Sequence, residues 1–441
     1  MSNYITHDHS DDGIDRRGFL KCMAWAGTGM LWTISGGVLS SKALGHVAKL
    51  GDEVARSDLY FVQISDSHIG FNKAANHDVT ATLQEAVGRI NGLSKRPAFL
   101  LHTGDISQLS RPDEFDTAQQ VIATAKTDTG RVFYVPGEHD VLGDNGAAYL
   151  RRYGKGATGG GWYSFDYQGV HFVGLVNVLN LKAGGLGQLG REQLAWLERD
   201  VRPLASSTPI VVFAHVPLWT VYPAWGWGTD DGAQALSYLK RFGSVTVLNG
   251  HIHQVLQKLE GNMSFHTALS TAFPQPAPAT APAPGPMTVP ADQLRDFLGL
   301  TSVSVVPARN TLAVVDATLT GMVPDEALWD PRQRGGSAQA ANTRNGSPDR
   351  GQVRAQAAVA NQVSIDNFTF TPKAVSVAAG TRVTWVNRDD VPHQIVSADK
   401  RFTPSPVLDT GQKYVYMFRA PGAYPYFCSI HPTMTGTVTV R

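Results

Sequence analysis

Glu138, His139 and Asp140 follow Val132-Phe133-Tyr134-Val135-Pro136-Gly137, an apolar, β-prone run closed by a turn dipeptide. This composition predicts a buried strand that ends tightly and passes a carboxylate, an imidazole and a second carboxylate to a loop. The same design recurs four times. Asp66-Ser67-His68 follows the run 59–64, Gly104-Asp105 follows 98–101, His215 follows 209–214, and His251-Ile252-His253 follows 245–248. Taken singly, an Asp past a strand is commonly a helix N-cap, and a His there a hydrogen-bonded structural residue. Five successive strands ending in Asp or His point to chemistry instead. Nitrogen and oxygen ligands delivered from separate rigid strands are what a pair of divalent or trivalent cations needs, with one carboxylate between them. Lacking a thiolate, the set suits Fe, Mn or Zn rather than copper. Such a pair lowers the pKa of a bound water and turns it into a nucleophile for hydrolysis.

A second cluster lies near the C-terminus. Cys428-Ser429-Ile430-His431-Pro432-Thr433-Met434 carries a thiolate, an imidazole and a thioether on one short loop, and His393 precedes it in a β-rich context. A solitary Cys is usually a buried structural thiol. Cys428, His431 and Met434 together with His393 match the ligand set of a blue-copper site, one copper ion with a weak axial thioether.

The elements that position these groups are legible as a pattern. Alternating strands and helices with short connections predict a layered α/β domain. Val79, Leu83, Val87 and Ile90 form one helical face, 189–201 and 232–242 read as helices, and Gln168-Gly169 marks a hairpin within 163–175. The Pro/Ala-rich tract 274–290 should run extended, and the β-rich runs 301–306 and 311–315 should complete the first domain's sheets. From 324 to 361 the chain offers almost no large apolar side chains, as a flexible tether does. Residues 363–441 alternate almost throughout, which predicts a small β-sandwich. The expected organisation is therefore 1–45, 46–323, 324–361 and 362–441.

With 38 basic and 37 acidic residues, nothing in the charge balance points to nucleic acid. The only two cysteines, Cys22 and Cys428, stand far apart, so no disulfide framework is expected. Arg16-Arg17 precedes the uncharged stretch 22–41, and Ser41, Ala43 and Gly45 offer small-residue exit positions. Such a segment reads as a signal peptide, which implies a periplasmic or otherwise exported protein with no stable membrane insertion after cleavage. It resembles a twin-arginine signal, with Asp15 in place of the usual Ser or Thr.

The motifs Asp66-Ser67-His68, Gly104-Asp105, Gly137-Glu138-His139-Asp140, Ala214-His215 and Gly250-His251-Ile252-His253 resemble, in order and spacing, those of the calcineurin-like metallophosphoesterases. The resemblance implies a two-sheet sandwich flanked by helices. It places Asp66, His68 and His253 on one metal and His215 and His251 on the other. Asp105 would bridge the pair and His139 would stand beside the leaving group, with Asp140 available to orient it. Where the family has Asn, this chain has Glu138, which raises the ligand charge and predicts tighter cation binding with a less electrophilic pair. The C-terminal segment, through Thr384-Trp385-Val386-Asn387, Val391-Pro392-His393 and the Cys-x-x-His-x-x-Met loop, resembles the amicyanins among the cupredoxins.

Two functions follow. One is an exported phosphoesterase, acting on a small-molecule phosphodiester or phosphomonoester through metal-bound hydroxide, with a blue-copper domain for redox or copper-linked regulation and a possible redox partner. The alternative is a blue-copper electron-transfer or copper-binding protein whose phosphoesterase-like domain is weakly active or inactive.

Overall fold

A computed structural model describes residues 30–35, 38–43, 59–179, 181–278, 280–306, 311–321 and 361–441. Arg16-Arg17 and nearly all of the expected tether lie outside these residues. Strands β1 (Met30–Ser35) and β2 (Val38–Ala43) pair only with each other among the described strands.

The first domain is a sandwich of two sheets. β3 (Tyr60–Ile64), β4 (Leu100–His102) and β5 (Val132–Tyr134) run parallel. The second sheet takes β6 (Tyr163–Tyr167), β7 (Val170–Gly174), β8 (Ile210–Phe213), β9 (Val245–Asn249), β10 (Gln257–Glu260) and β11 (Met263–Thr267), in the order β10-β11-β9-β8-β7-β6. β12 (Gly299–Val306) and β13 (Thr311–Thr318) complete the first sheet, in the order β13-β12-β3-β4-β5. The two C-terminal β runs thus belong to the first domain, as their composition indicates.

Aromatic residues fill the space between the sheets. Phe61 stacks on Phe99 at 5.1 Å, and Phe99 meets Phe172 edge-on at 5.4 Å. Helices α1 (Val79–Asn91) and α2 (Pro112–Ile122) cover the outer face of the first sheet, and α3 (Ala147–Tyr153) follows the β5 loop. α4 (Arg191–Val201) and α5 (Gly232–Leu239) cover the second. α1 buries Val79, Leu83, Val87 and Ile90, and Asp78 caps it by accepting from the Ala81 amide at 2.9 Å. The turn between β6 and β7 uses Gln168 at φ 48° and Gly169 at φ 78°, the paired left-handed conformation that matches hairpin twist.

Two expectations are corrected. β5 is half-buried rather than buried, because it is the edge strand of its sheet. The Pro/Ala tract does not simply run extended: the Met287 amide donates to the Pro274 carbonyl at 2.8 Å, closing the tract into a loop.

The second domain packs two four-stranded sheets. One has the order β15 (Thr369–Thr371), β14 (Gln362–Asp366), β17 (Thr381–Asn387), β19 (Lys413–Phe418). The other runs β16 (Ala374–Val377), β21 (Thr435–Val440), β20 (Gly422–Cys428), β18 (Ile395–Ser397). Trp385, Val383, Ile365, Tyr426 and Val438 form its interior.

Candidate functional site

The parallel strands of both sheets end at one edge of the sandwich, so the loops after β3, β4, β5, β8 and β9 converge there. Asp66, His68 and His253 present ligand atoms to one another, as do Glu138, His215 and His251; Asp105 belongs with both groups. Asp66 Oδ1 is 3.3 Å from His253 Nε2. Asp105 Oδ2 lies 3.5 Å from His68 Nε2 and 3.3 Å from His215 Nε2, a position between the two groups.

Backbone and carbonyl partners aim these side chains. His68 Nδ1 donates to Gln108 Oε1 at 2.8 Å, His215 Nδ1 to the Thr103 carbonyl at 2.7 Å, and His253 Nδ1 to the Phe273 carbonyl at 2.6 Å. Each ring is thereby held with Nε2 toward the site. The His251 amide donates to Asp66, and the His139 amide to Asp105 Oδ1 at 2.9 Å. Glycines permit the crowding: a Cβ on Gly137 would stand 2.0 Å from Asp105 Oδ1, and one on Gly104 would stand 2.5 Å from the His215 ring.

Glu138 occupies the divergent position and reaches both of its imidazoles, Oε1 at 2.9 Å from His251 Nδ1 and Oε2 at 3.1 Å from His215 Nε2. Glu138 Oε2, His215 Nε2 and His251 Nδ1 are nevertheless buried without a hydrogen bond. Buried polar atoms left unpaired are costly, and three converging on one point fit a cation between them. Burial opposes ionisation of Asp66, but the rings of His253, His215 and His68 outweigh it and hold the carboxylate far down. Glu138 is held low in the same way, burial being outweighed by His251 and His215. Burial lowers His68 to about 3, so its ring is neutral and able to ligate.

His139 donates from Nδ1 to the Gln108 carbonyl at 2.8 Å, and its ring packs 4.7 Å from that of His68. Asp140 does not orient that ring. Its carboxylate accepts from the amides of Ile106, Ser107 and Gly137, locking the β4 and β5 loops together. Burial first, then Asp105, raises Asp140 to about 7. Gln108, which serves both His68 and His139, carries no sequence signal beyond its place three residues after Asp105. Among the described residues of this domain, four further histidines have other partners: His102 meets Ser67, His171 meets Asp166 and Asp200, His266 meets Asp316, and His77 is exposed beside Asn72.

In the second domain, Cys428 Sγ is 3.6 Å from His393 Nδ1 and 3.8 Å from His431 Nδ1, and the two Nδ1 atoms are 3.3 Å apart. Met434 is buried on the same loop, where its carbonyl accepts from the Cys428 amide at 3.1 Å. His393 Nε2 donates to Asp389 at 2.8 Å, a partner that the sequence reading did not single out. Burial opposes the Cys428 thiolate, but His393 outweighs it and lowers the thiol's pKa. One soft anion and two imidazole nitrogens at these spacings fit copper.

Residues 59–255 match the calcineurin-like phosphoesterases, and residues 357–441 match the copper-binding proteins of the plastocyanin/azurin family. The C-terminal domain belongs to the copper-binding family, and residues 59–255 form a domain similar to the calcineurin-like phosphoesterases. Amicyanin-alpha of Methylorubrum extorquens is 34% identical over 93 residues, 20% of this chain and 78% of that protein. The glycerophosphodiester phosphodiesterase GpdQ of Enterobacter lignolyticus is 28% identical over 210 residues, 45% of this chain and 72% of that protein. The solved purple cupredoxin of Nitrosopumilus maritimus is 35% identical, with a TM-score of 0.18, and the match covers 18% of this chain and 98% of that one.

The cupredoxin domain docks its copper-ligand loop against the phosphoesterase domain. The Gly184 amide donates to the Pro432 carbonyl at 2.6 Å, and Leu142, two residues past Asp140, is buried in the cupredoxin core. The aromatic loop that includes Tyr222, Trp225 and Trp227 faces this junction: a Cβ on Gly226 would stand 4.0 Å from the Thr433 methyl.

Proposed function

We propose that the chain is an exported, dinuclear-metal phosphoesterase whose cupredoxin domain holds one copper ion and links the activity to redox state or copper supply. The observation that carries this reading is the buried convergence of Glu138 with His215 Nε2 and His251 Nδ1, at 3.1 and 2.9 Å without a hydrogen bond, beside the Asp66, His68 and His253 group. Asp66, His68 and His253 would hold one cation, Glu138, His215 and His251 the other, and Asp105 would bridge them. Fe, Mn and Zn all suit these donors. When bound, paired cations supply Lewis-acid polarisation of the phosphoryl group and an activated water.

The chain's own contribution is positioning and proton transfer. Nδ1 of His139 is committed to the Gln108 carbonyl, so Nε2 is the nitrogen that exchanges a proton with the leaving oxygen. Asp105 accepts the His139 amide, which places acid and bridge in one fixed frame. The glycerophosphodiester phosphodiesterases among its relatives make a phosphodiester with a small alcohol the first substrate to try. His393, Cys428, His431 and Met434 would hold the copper ion, with Asp389 fixing the His393 ring.

The test is metal quantification on exported protein followed by a phosphoester panel. About two Fe, Mn or Zn ions and one copper per chain, with aryl phosphodiester hydrolysis lost in Asp105→Asn, is the expected result. Copper alone, with no hydrolysis at any metal loading, would establish the electron-transfer alternative, for which the extra charge of Glu138 is the motivating observation. Export rests on Arg16 and Arg17: replacing both with Lys should leave the protein in the cytoplasm.

A further inference from the structure

The copper-ligand loop and the phosphoesterase site meet at His431. Its Nδ1 faces His393 Nδ1 and Cys428 Sγ at 3.3 and 3.8 Å, so the copper-facing edge of the ring is defined. On the phosphoesterase side its ring is 6.4 Å from that of His139, the imidazole assigned to the leaving group. Phe368 packs edge-on against the same ring at 4.7 Å. The residues after His431 are anchored as well, Pro432 by the Gly184 amide and Thr433 beside Gly226. The imidazole that faces the copper position thus stands beside the imidazole assigned to the leaving group.

We propose that His431 serves both sites at once, so that the charge on copper sets the affinity of the pocket for its anionic phosphoester and product. Nδ1 is committed to the copper side; the opposite edge, with Nε2, is the part available to a phosphoryl oxygen. Reduction by one electron, supplied by ascorbate, converts Cu(II) to Cu(I) and removes one unit of positive charge behind that ring. No atom is transferred and no bond to phosphorus changes. In a partly buried, poorly screened site, loss of a unit charge weakens the binding of an anion. The oxidised protein is therefore the tight-binding state and the reduced protein the releasing state. Linkage is reciprocal: whatever copper oxidation adds to anion binding, the anion takes from the copper potential.

This inference rests on the phosphoesterase reading, and its test separates the two. The full chain, loaded with copper and Zn, is titrated with inorganic phosphate by calorimetry in the Cu(II) and ascorbate-reduced forms. In parallel the copper potential is followed through its visible band with and without phosphate. Phosphate should bind about tenfold more tightly to the oxidised form. It should also lower the copper potential by about 59 mV, the one-electron equivalent of that ratio. Leu142→Asp, which undocks the cupredoxin domain, should keep the visible band and abolish the difference. Equal affinity in both copper states, with phosphate bound and aryl phosphodiester still hydrolysed, overturns the coupling and leaves the phosphoesterase standing. No phosphate binding and no hydrolysis overturn both.

Discussion

Asp66, His68, Asp105, His251 and His253 all have positive φ, between 41° and 73°, where residues with a side chain are disfavoured. Each such residue costs on the order of 1 kcal/mol or more, and strain of this kind persists where the surroundings over-determine it. Here the backbone of three of the converging loops turns sharply so that their side chains reach one point. Glu138 is the position where substitution is most informative. Glu138→Asn should weaken cation binding at that site by about tenfold, roughly 1.4 kcal/mol, and raise turnover at saturating metal; metal titration and steady-state rates check it. Unchanged metal content and turnover would mean that Glu138 is not a ligand. His139→Ala should cost about 10²- to 10⁴-fold in turnover of an alkyl diester, and less for an aryl ester whose leaving group needs no proton.

At the scale of elements, the hairpin β6–β7 is tied to α4 through His171, which donates to Asp166 at 2.8 Å and to Asp200 at 3.0 Å. With both ring nitrogens donating, the imidazolium is the paired form. Burial pulls its pKa down, but Asp200 and Asp166 outweigh burial and raise it above the ordinary 6.5. The folded pKa being the higher, this contribution is complete below the unfolded value and fades as pH rises through the folded one. His171→Gln should therefore lower stability by about 1.5–3 kcal/mol near pH 5. Urea melts should show a smaller loss at alkaline pH, above the folded value, where the charged pair's contribution has faded. A loss independent of pH would mean that packing, not the charged pair, is what His171 contributes. The loop elements are equally constrained by Gly137, where even a methyl group would displace Asp105.

Across the whole molecule, the contacts that join the domains differ in magnitude. Lys73 and Asp409 stand 3.8 Å apart at 30% and 36% exposure, a surface pair worth about 0–1 kcal/mol. Leu142 is buried in the cupredoxin core, where truncation of a leucine costs about 2–5 kcal/mol. Leu142→Ala should thus loosen docking, seen as a rise in radius of gyration by small-angle scattering, while Lys73→Ala leaves it unchanged. Copper removal should lower the melting temperature of the cupredoxin domain, since binding to the folded state alone stabilises it by about 4 kcal/mol at a thousandfold excess over Kd.

The sequence by itself determined the two domains, the α/β and all-β classes, and which acids, imidazoles and thiolate were candidates. It could do so because strand composition, helical periodicity and ligand type are local properties of the chain. The tertiary structure decided the rest. That β5 is an edge strand depends on sheet order. That Asp140 braces two loops instead of orienting His139 depends on where the Ile106 and Ser107 amides fall. Gln108 and Asp389 owe their importance to partners that folding brings alongside them. The approach of His431 to His139 joins residues nearly three hundred positions apart, and no pattern within either domain encodes it. Distance along the chain carries no information about contact between domains; only the packed surfaces do.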